Sequence, residues 1–419
     1  MIAKAALLIA MLISAPATAQ RIDPKVQARI DRILKATPLI DGHNDLAEIL
    51  RENYGGKTEG LASGTDRWKP KSVMTDMARL REGRVGGQFW SVFIPADVQG
   101  DRAVRNTLEE IDIVKRFIAA YPQDLEQAYS AEDVVRIHKA GKVASLIGVE
   151  GGHQMAHSFA ALRQYYALGA RYMTLTHFKT TDWADSATDV PLHNGLTDYG
   201  KRVVHEMNRI GMLVDLSHVS EGTMNSALDV SKAPVIFSHS GAKAIDGHPR
   251  NVSDAVLKRL ALNGGVVMVN FAPDYVSDAV WRWAAERDAE KARVARMLTG
   301  HPQAELEAAI ATWTAAHPEP RASVAQVADH VEHIAKVAGY DHVGIGGDLD
   351  GIPDTPEGLT GVQDYPNLFA ELIHRGWSDE NLAKLAGGNI LRALRQAQAV
   401  SKSMASEPPA ADQLTPDYQ

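Results

Sequence analysis

The fold class this sequence predicts is α/β, specifically a (β/α)8 barrel, and three observations predict it. Eight short apolar runs alternate with amphipathic helical stretches between about residue 38 and residue 348. Glycine or asparagine often separates a helix from the next strand, as at Gly141, Gly169, Gly211 and Asn263-Gly264, which suits helix C-caps. Six of the eight runs end in side chains able to bind metal or move protons, as strand ends at one mouth of a barrel do. An open doubly wound sheet shares the alternation, and the count of strands does not exclude it.

The strand runs are residues 38–44, 88–95, 143–150, 172–177, 213–218, 235–239, 266–271 and 343–348. They are dense in Val, Ile, Leu and aromatic residues, as strands packed on both faces should be. Helical periodicity marks residues 108–121, 198–210, 221–230, 252–262 and 324–337. Between the seventh and eighth strands, residues 279–316 add extra helix rich in Ala, Glu and Arg, shaped as a helical hairpin around Gly300-His301-Pro302. That segment would border the mouth of the site or an oligomer contact.

Both ends of the chain read differently from its middle. Residues 1–19 have the form of a secretion signal: Lys4, an apolar run from Ala5 to Ser14, then Ala17-Thr18-Ala19 before Gln20. The alternatives are an uncleaved anchor or a buried first helix. From Ser401 to residue 419 the composition predicts a disordered tail, leaving residues 20–400 for the barrel. The 419 residues include no cysteine, so no disulfide framework or lipid-bearing thiol is available. An exported chain without disulfides fits a bacterial periplasm or a secreted protein. The formal net charge of −8 argues against nucleic acid as a partner. No nucleotide-binding loop or haem motif is present.

The chemistry lies at the ends of the runs. The first closes Asp41-Gly42-His43-Asn44-Asp45, and His43 and Asp45, two apart, project to one side of extended backbone. The third closes Gly148-Val149-Glu150-Gly151-Gly152-His153, where two glycines permit a sharp turn after the carboxylate. The fourth closes Thr174-Leu175-Thr176-His177, the fifth Asp215-Leu216-Ser217-His218, the sixth Phe237-Ser238-His239-Ser240-Gly241 and the eighth Gly346-Gly347-Asp348-Leu349-Asp350-Gly351. Imidazoles and carboxylates without thiolate suit zinc or another first-row divalent ion. The set exceeds what one tetrahedral ion needs, so two ions sharing a carboxylate are the economical reading. A further Asp is then free to take and return a proton.

Other candidates carry less. His330 and His333, on a helical stretch, and the acidic run Glu109-Glu110-Ile111-Asp112 read as solvated helix faces. His301, His317, His342 and His374 have no partner in view. His153 reads either as an orienting residue behind the ligands or as plain structure.

In their order and spacing, these motifs resemble the renal (membrane) dipeptidase family of zinc peptidases. Pro249-Arg250-Asn251 and Leu175-Thr176-His177 belong to the same pattern, and the match runs from about residue 36 to residue 395. The resemblance implies a barrel holding two zinc ions and hydrolysing dipeptides with a metal-bridging hydroxide. It implies that His43 and Asp45 bind one ion, that His218 and His239 bind the other, and that Glu150 bridges them. His177 would contact the substrate and stabilise the oxyanion, and Asp348 would shuttle the proton. Arg250 would meet the substrate's carboxylate, as guanidinium suits. The loop around Trp183-Ala184-Asp185 would border the pocket. A homodimer is implied too, but the lack of cysteine and of a C-terminal anchor signal takes disulfide-linked dimers and stable membrane attachment out of the comparison. The alternatives are a related metal hydrolase acting on an N-acyl amino acid, a lactone or a β-lactam, and a noncatalytic metal- or peptide-binding barrel.

Overall fold

All eight apolar runs contain strand, and the strands close on one another in parallel. The computed structural model describes residues 22–412, so the secretion-signal reading of residues 1–19 lies outside the described residues. The strands are β1 (Leu39–Asn44), β2 (Val85–Phe93), β3 (Leu125–Gln127), β4 (Val143–Glu150), β5 (Ala170–Thr174), β6 (Leu213–Asp215), β7 (Ile236–Phe237), β8 (Val266–Val269) and β9 (Val343–Ile345). Neighbours run from β2 through β1, β9, β8, β7, β6 and β5 to β4, and pairing of β2 with β4 closes the ring. The open-sheet alternative is thereby excluded. β3, absent from the sequence expectation, is a three-residue strand beside the start of β4, from Leu125 opposite Val143 to Gln127 opposite Ser145. It is too short to show a period.

Side chains alternate between two apolar layers, as a closed barrel requires. Ile40, Phe89, Leu146, Tyr172, Leu213, Ile236, Val266 and Met268 fill the interior, and this cluster continues onto Ile390, Leu391 and Leu394 of the helix Asn389–Ser403. Their neighbours Leu39, Trp90, Val92, Ile147, Val149, Val214, Phe237, Val267 and Val269 point outward into the helical shell. Gly148 has to be glycine for close approach, because a Cβ there would stand 2.0 Å from the Tyr172 ring that crosses the interior.

Several strands stop earlier than the apolar runs suggest, for a reason tied to the site. The backbone leaves the ladder where a chemical side chain must turn inward. His218 and Asp348 take left-handed conformations, φ 66° and 58°. Single hydrogen bonds hold these excursions, from Asp348 N to His43 O (3.1 Å) and from Asp45 N to Leu349 O (3.0 Å).

Residues 279–316 fall within a helical hairpin built from Asp278–Met297 and Gln303–Ala316, with Gly300 at φ 85° in the turn. The Trp283 indole donates to His317 O at 2.7 Å and ties the hairpin's base together. The helix Val324–Ala338 then packs against β8 and β9.

Three expectations need correcting. Residues 401–412 do not form a disordered tail: the last helix runs to Ser403, Met404 is buried, and the Asp412 carboxylate accepts from Phe159 N (2.6 Å) and Ala160 N (3.2 Å). It satisfies otherwise orphaned amides at the start of the helix Phe159–Leu168, which composition alone does not reveal. His330 is fully buried, not solvated, with Nδ1 accepting from Ala242 N (2.8 Å) and Nε2 donating to Val276 O (3.1 Å). Glu110 is buried as well, accepting from Phe93 N at 2.9 Å, so the acidic run is not wholly an outer face.

Candidate active site

Glu150, the last residue of β4, lies at the centre of the mouth. Its Oε2 is 3.3 Å from His43 Nε2, and its Oε1 is 3.0 Å from His218 Nε2 and 3.4 Å from His239 Nε2. The two oxygens of one carboxylate thus face two different groups of nitrogens. Asp45 Oδ2 approaches His43 Nε2 at 3.3 Å from the start of the helix Leu46–Tyr54. His177 Nε2 stands 3.7 Å from Glu150 Oε1, its ring 4.2 Å from that of His218. Asp348 joins His43 and Asp45 in a third compact cluster of potential ligand atoms. Seven of the eight residues singled out in the sequence are therefore brought together.

Arg250, the eighth, stands slightly apart. It is buried, with Nη1 donating to Ser240 Oγ (3.3 Å), Nη2 to His239 O (3.2 Å), and its guanidinium 5.3 Å from the Tyr275 ring. Tyr275, not Arg250, contributes to the cavity wall at this point.

A layer of polar residues behind the ligands fixes their orientation. His43 Nδ1 meets Tyr172 OH at 2.8 Å, and the same hydroxyl donates to Gly42 O at 3.2 Å. With its proton on Gly42 O, the phenol accepts from Nδ1–H, which leaves Nε2 of His43 with a lone pair aimed at Glu150. His239 Nδ1 meets Ser238 Oγ at 2.9 Å, and Ser238 Oγ donates onward to Asp215 Oδ2 at 2.6 Å. Asp215 also receives Ser217 N, Ser238 N and Thr174 Oγ1, so one buried carboxylate ties β5, β6 and β7 together. Asp41 does the same elsewhere, accepting from Gln88, Gly347 N and Tyr365 OH. Asn270 Nδ2 holds Asp348 Oδ2 at 3.0 Å. His153 Nε2 donates to Ile94 O (2.9 Å), and the ring contributes no ligand atom to the three clusters.

The electrostatics fit a cation. Burial first, then Arg250 and neighbouring imidazoles, holds His177 and His218 well below their usual range; for His239 the causes are burial, His43 and Arg250. These rings are neutral and present lone pairs. Carboxylates are crowded in the opposite sense. Burial, with Asp45, Glu52 and Glu150 nearby, pushes Glu48 up to about 9. Burial, reinforced by Asp45 and Glu150 against His43, holds Asp348 well above the carboxylate range. His43 Nε2 and Asp45 Oδ1 are buried with no hydrogen-bond partner among the described residues. Imidazoles held neutral at His177, His218 and His239, crowded carboxylates and buried ligand atoms without partners are what a divalent ion would satisfy.

The mouth opens into a cavity of about 430 Å³. Asp45, Glu48, Glu150, His177, His218 and Asp348 form its floor. Phe93, Phe178 and the segment from Ala272 to Tyr275 wall it, together with one face of the inserted helix Asp278–Met297. The loop after β5 is held by Asp185, whose carboxylate accepts from the backbone N–H groups of Leu192, His193 and Gly195.

Sequence reasoning missed Tyr172, Ser238, Asn270, Glu48 and Tyr275 as parts of the site; the inserted helix, expected at the mouth of the site or at an oligomer contact, borders the mouth. Tyr172 and Ser238 carried a usable signal, since Tyr172 opens the fourth apolar run and Ser238 lies within the sixth, where alternation along the strand fixes their faces. Glu48 did too, one helical turn after Asp45. Trp283 and Arg287 had none, because nothing local marks which face of an inserted helix meets a barrel mouth.

Comparison with known proteins accords with this geometry. The profile of the membrane dipeptidase family (peptidase family M19) matches residues 27–408. Dipeptidase tcpJ of Claviceps purpurea (strain 20.1) is 39% identical over 388 residues, covering 90% of this chain and 81% of that protein. The crystal structure of the probable dipeptidase PvdM from Pseudomonas aeruginosa superposes with a TM-score of 0.75 at 25% identity, covering 90% of this chain and 99% of the other. A metallopeptidase from Rhodobacter sphaeroides, liganded with a phosphinate mimic of the dipeptide L-Ala-D-Ala, shares the fold at TM-score 0.69 and 22% identity, over 86% of this chain and 99% of that one.

Proposed function

The chain belongs to the membrane dipeptidase family and is on that ground a metal-dependent dipeptidase, and we propose that it works with two zinc ions held across Glu150. The observation that carries the proposal is the division of Glu150: Oε2 faces His43, while Oε1 faces His218 and His239. His43 and Asp45 would hold one ion and His218 and His239 the other, with Glu150 shared between them. When bound, the two ions would activate a water for attack at neutral pH and polarise the scissile carbonyl.

The protein's own residues do the rest. Asp348, oriented by Asn270 and beside the His43–Asp45 pair, takes the proton released by the attacking water and returns it to the leaving amine. His177, on the cavity floor with its ring braced between Phe93 and Phe178, donates to the oxyanion. Arg250 neutralises the substrate's C-terminal carboxylate from behind Tyr275, which lies against its guanidinium. Phe93, Phe178 and the walls exclude water from the reacting bond.

The Rhodobacter sphaeroides relative is liganded by a dipeptide mimic, and a cavity of about 430 Å³ over the ligand cluster is of a size to admit a small peptide here. Export follows from the secretion-signal form of residues 1–19, and no helix among the described residues is long and apolar enough to cross a membrane. We extend the family's homodimer to this chain on the same footing. Profiling free dipeptides against N-acyl amino acids, lactones and β-lactams tests the substrate class. Dipeptides should exceed every other class in kcat/KM. Cleavage of acylated amino acids in preference to dipeptides would hand the site to the related hydrolase.

A further inference from the structure

The helical insertion supplies a substrate-reading surface of its own. Val280, Trp283, Ala284 and Arg287 follow one another at i, i+3, i+4 and i+7 along the helix Asp278–Met297, and all four line the cavity whose floor is Glu150 and Asp348. We propose that Arg287 forms a subsite for an acidic side chain on the C-terminal residue of the substrate, which makes dipeptides ending in aspartate or glutamate favoured substrates. This rests on the dipeptidase reading and names the substrate subclass within it.

Arg287 is the single Lys or Arg among the residues that line the cavity, where the other formal charges, on Glu48, Asp274, Glu319 and Asp354 among others, are negative. None of those lining carboxylates forms an ion pair with it among the described residues. The nearest carboxylate is that of Asp288, the adjacent and exposed residue, 3.5 Å from Nε. Nε itself is buried without a hydrogen-bond partner. The guanidinium lies 4.9 Å from the centroid of the Trp283 ring, and that ring is anchored by its bond to His317 O. A cation on a fixed aromatic platform, half-buried and facing a cavity, is ready for an incoming anion.

Position assigns that anion to the C-terminal residue. Tyr275, whose ring packs against the guanidinium of Arg250, stands one short turn before the inserted helix. The main-chain carboxylate goes to Arg250, so the wall that continues from Tyr275 into Val280, Trp283 and Arg287 flanks the side chain carried by the same residue.

The test compares isosteric pairs, Gly-Asp with Gly-Asn and Gly-Glu with Gly-Gln, by kcat/KM. The acidic member should win by about tenfold or more in the native enzyme, the scale of one charge-assisted contact. Arg287→Ala should bring that ratio to about one through KM. Arg287→Glu should turn the preference towards Gly-Lys over Gly-Gln, which a misfolded variant could not do. Asp288→Ala, on the exposed side, should leave the ratio as it was. A native ratio near one, a ratio untouched by Arg287→Ala, or a preference expressed only for Asp-Gly over Asn-Gly overturns the subsite. Failure of the metal-loaded enzyme to cleave any dipeptide would instead overturn the dipeptidase reading beneath it.

Discussion

Tyr172 OH lies 2.8 Å from His43 Nδ1, joining the start of one strand-end motif to the middle of a strand across the barrel. Because the hydroxyl also reaches Gly42 O, it sets which nitrogen of His43 carries the proton and which faces Glu150. Tyr172→Phe keeps the ring and deletes this control. Metal affinity should fall by roughly tenfold to a hundredfold, the usual cost of losing such an orienting partner. Titration against a chelator of known strength measures it, and unchanged affinity would remove Tyr172 from the account.

Gly148 makes room for the same ring. Gly148→Ala puts a methyl group 2.0 Å from Tyr172 Cζ, between the paired strands β4 and β5 that cannot easily part. Destabilisation of at least about 1–3 kcal/mol is expected from such overpacking, with weakened metal binding as the ring is displaced. Denaturant unfolding of the metal-free protein separates the first effect from the second.

Asp348→Asn preserves the shape of the side chain and its contact with Asn270 but removes the proton carrier. Turnover should drop by about a hundredfold or more while metal content stays close to native. Full activity would sink the shuttle role, and loss of metal would recast Asp348 as a ligand.

A pH effect on stability should come from His330, away from the metal cluster. Burial pulls its ring down to about 4 against a usual value near 6.5, because a charged imidazole would lose its hydration inside the shell. The unfolded chain therefore binds the proton first, so this residue costs nothing above about pH 6.5 and destabilises as pH falls from there towards 4. The full loss is as much as about 3 kcal/mol. His330→Leu, which cannot titrate, should flatten the decline of Tm over that window even if it lowers Tm at neutral pH. An unchanged slope would mean that other groups cause it.

Much of this was legible because the barrel puts its chemistry in register with its hydrophobic pattern. His43, Glu150, His177, His218, His239 and Asp348 each end an apolar run, and a parallel barrel gathers such ends at one mouth. What stayed hidden depends on contacts between distant segments. His330 looks like any histidine on a helix until the chain after β7 folds over it and supplies Ala242 N. Asp412 lies in a polar, proline-containing stretch, and only the exposed start of the helix Phe159–Leu168, some 250 residues earlier, gives its carboxylate a task. Strand ends were overestimated for a similar reason. Apolar character persists through Leu216 and Leu349, but φ turns positive at His218 and Asp348 to aim the functional side chains.

The central claim is that Glu150 is shared by two metal ions that drive dipeptide hydrolysis, and metal content measured on the same sample as activity tests it most directly. About two zinc ions per chain are expected, with dipeptide cleavage lost to a chelator and restored by zinc, and with Glu150→Ala losing both metal and activity. Full dipeptide cleavage by metal-free protein, or one ion per chain at full activity, would contradict it.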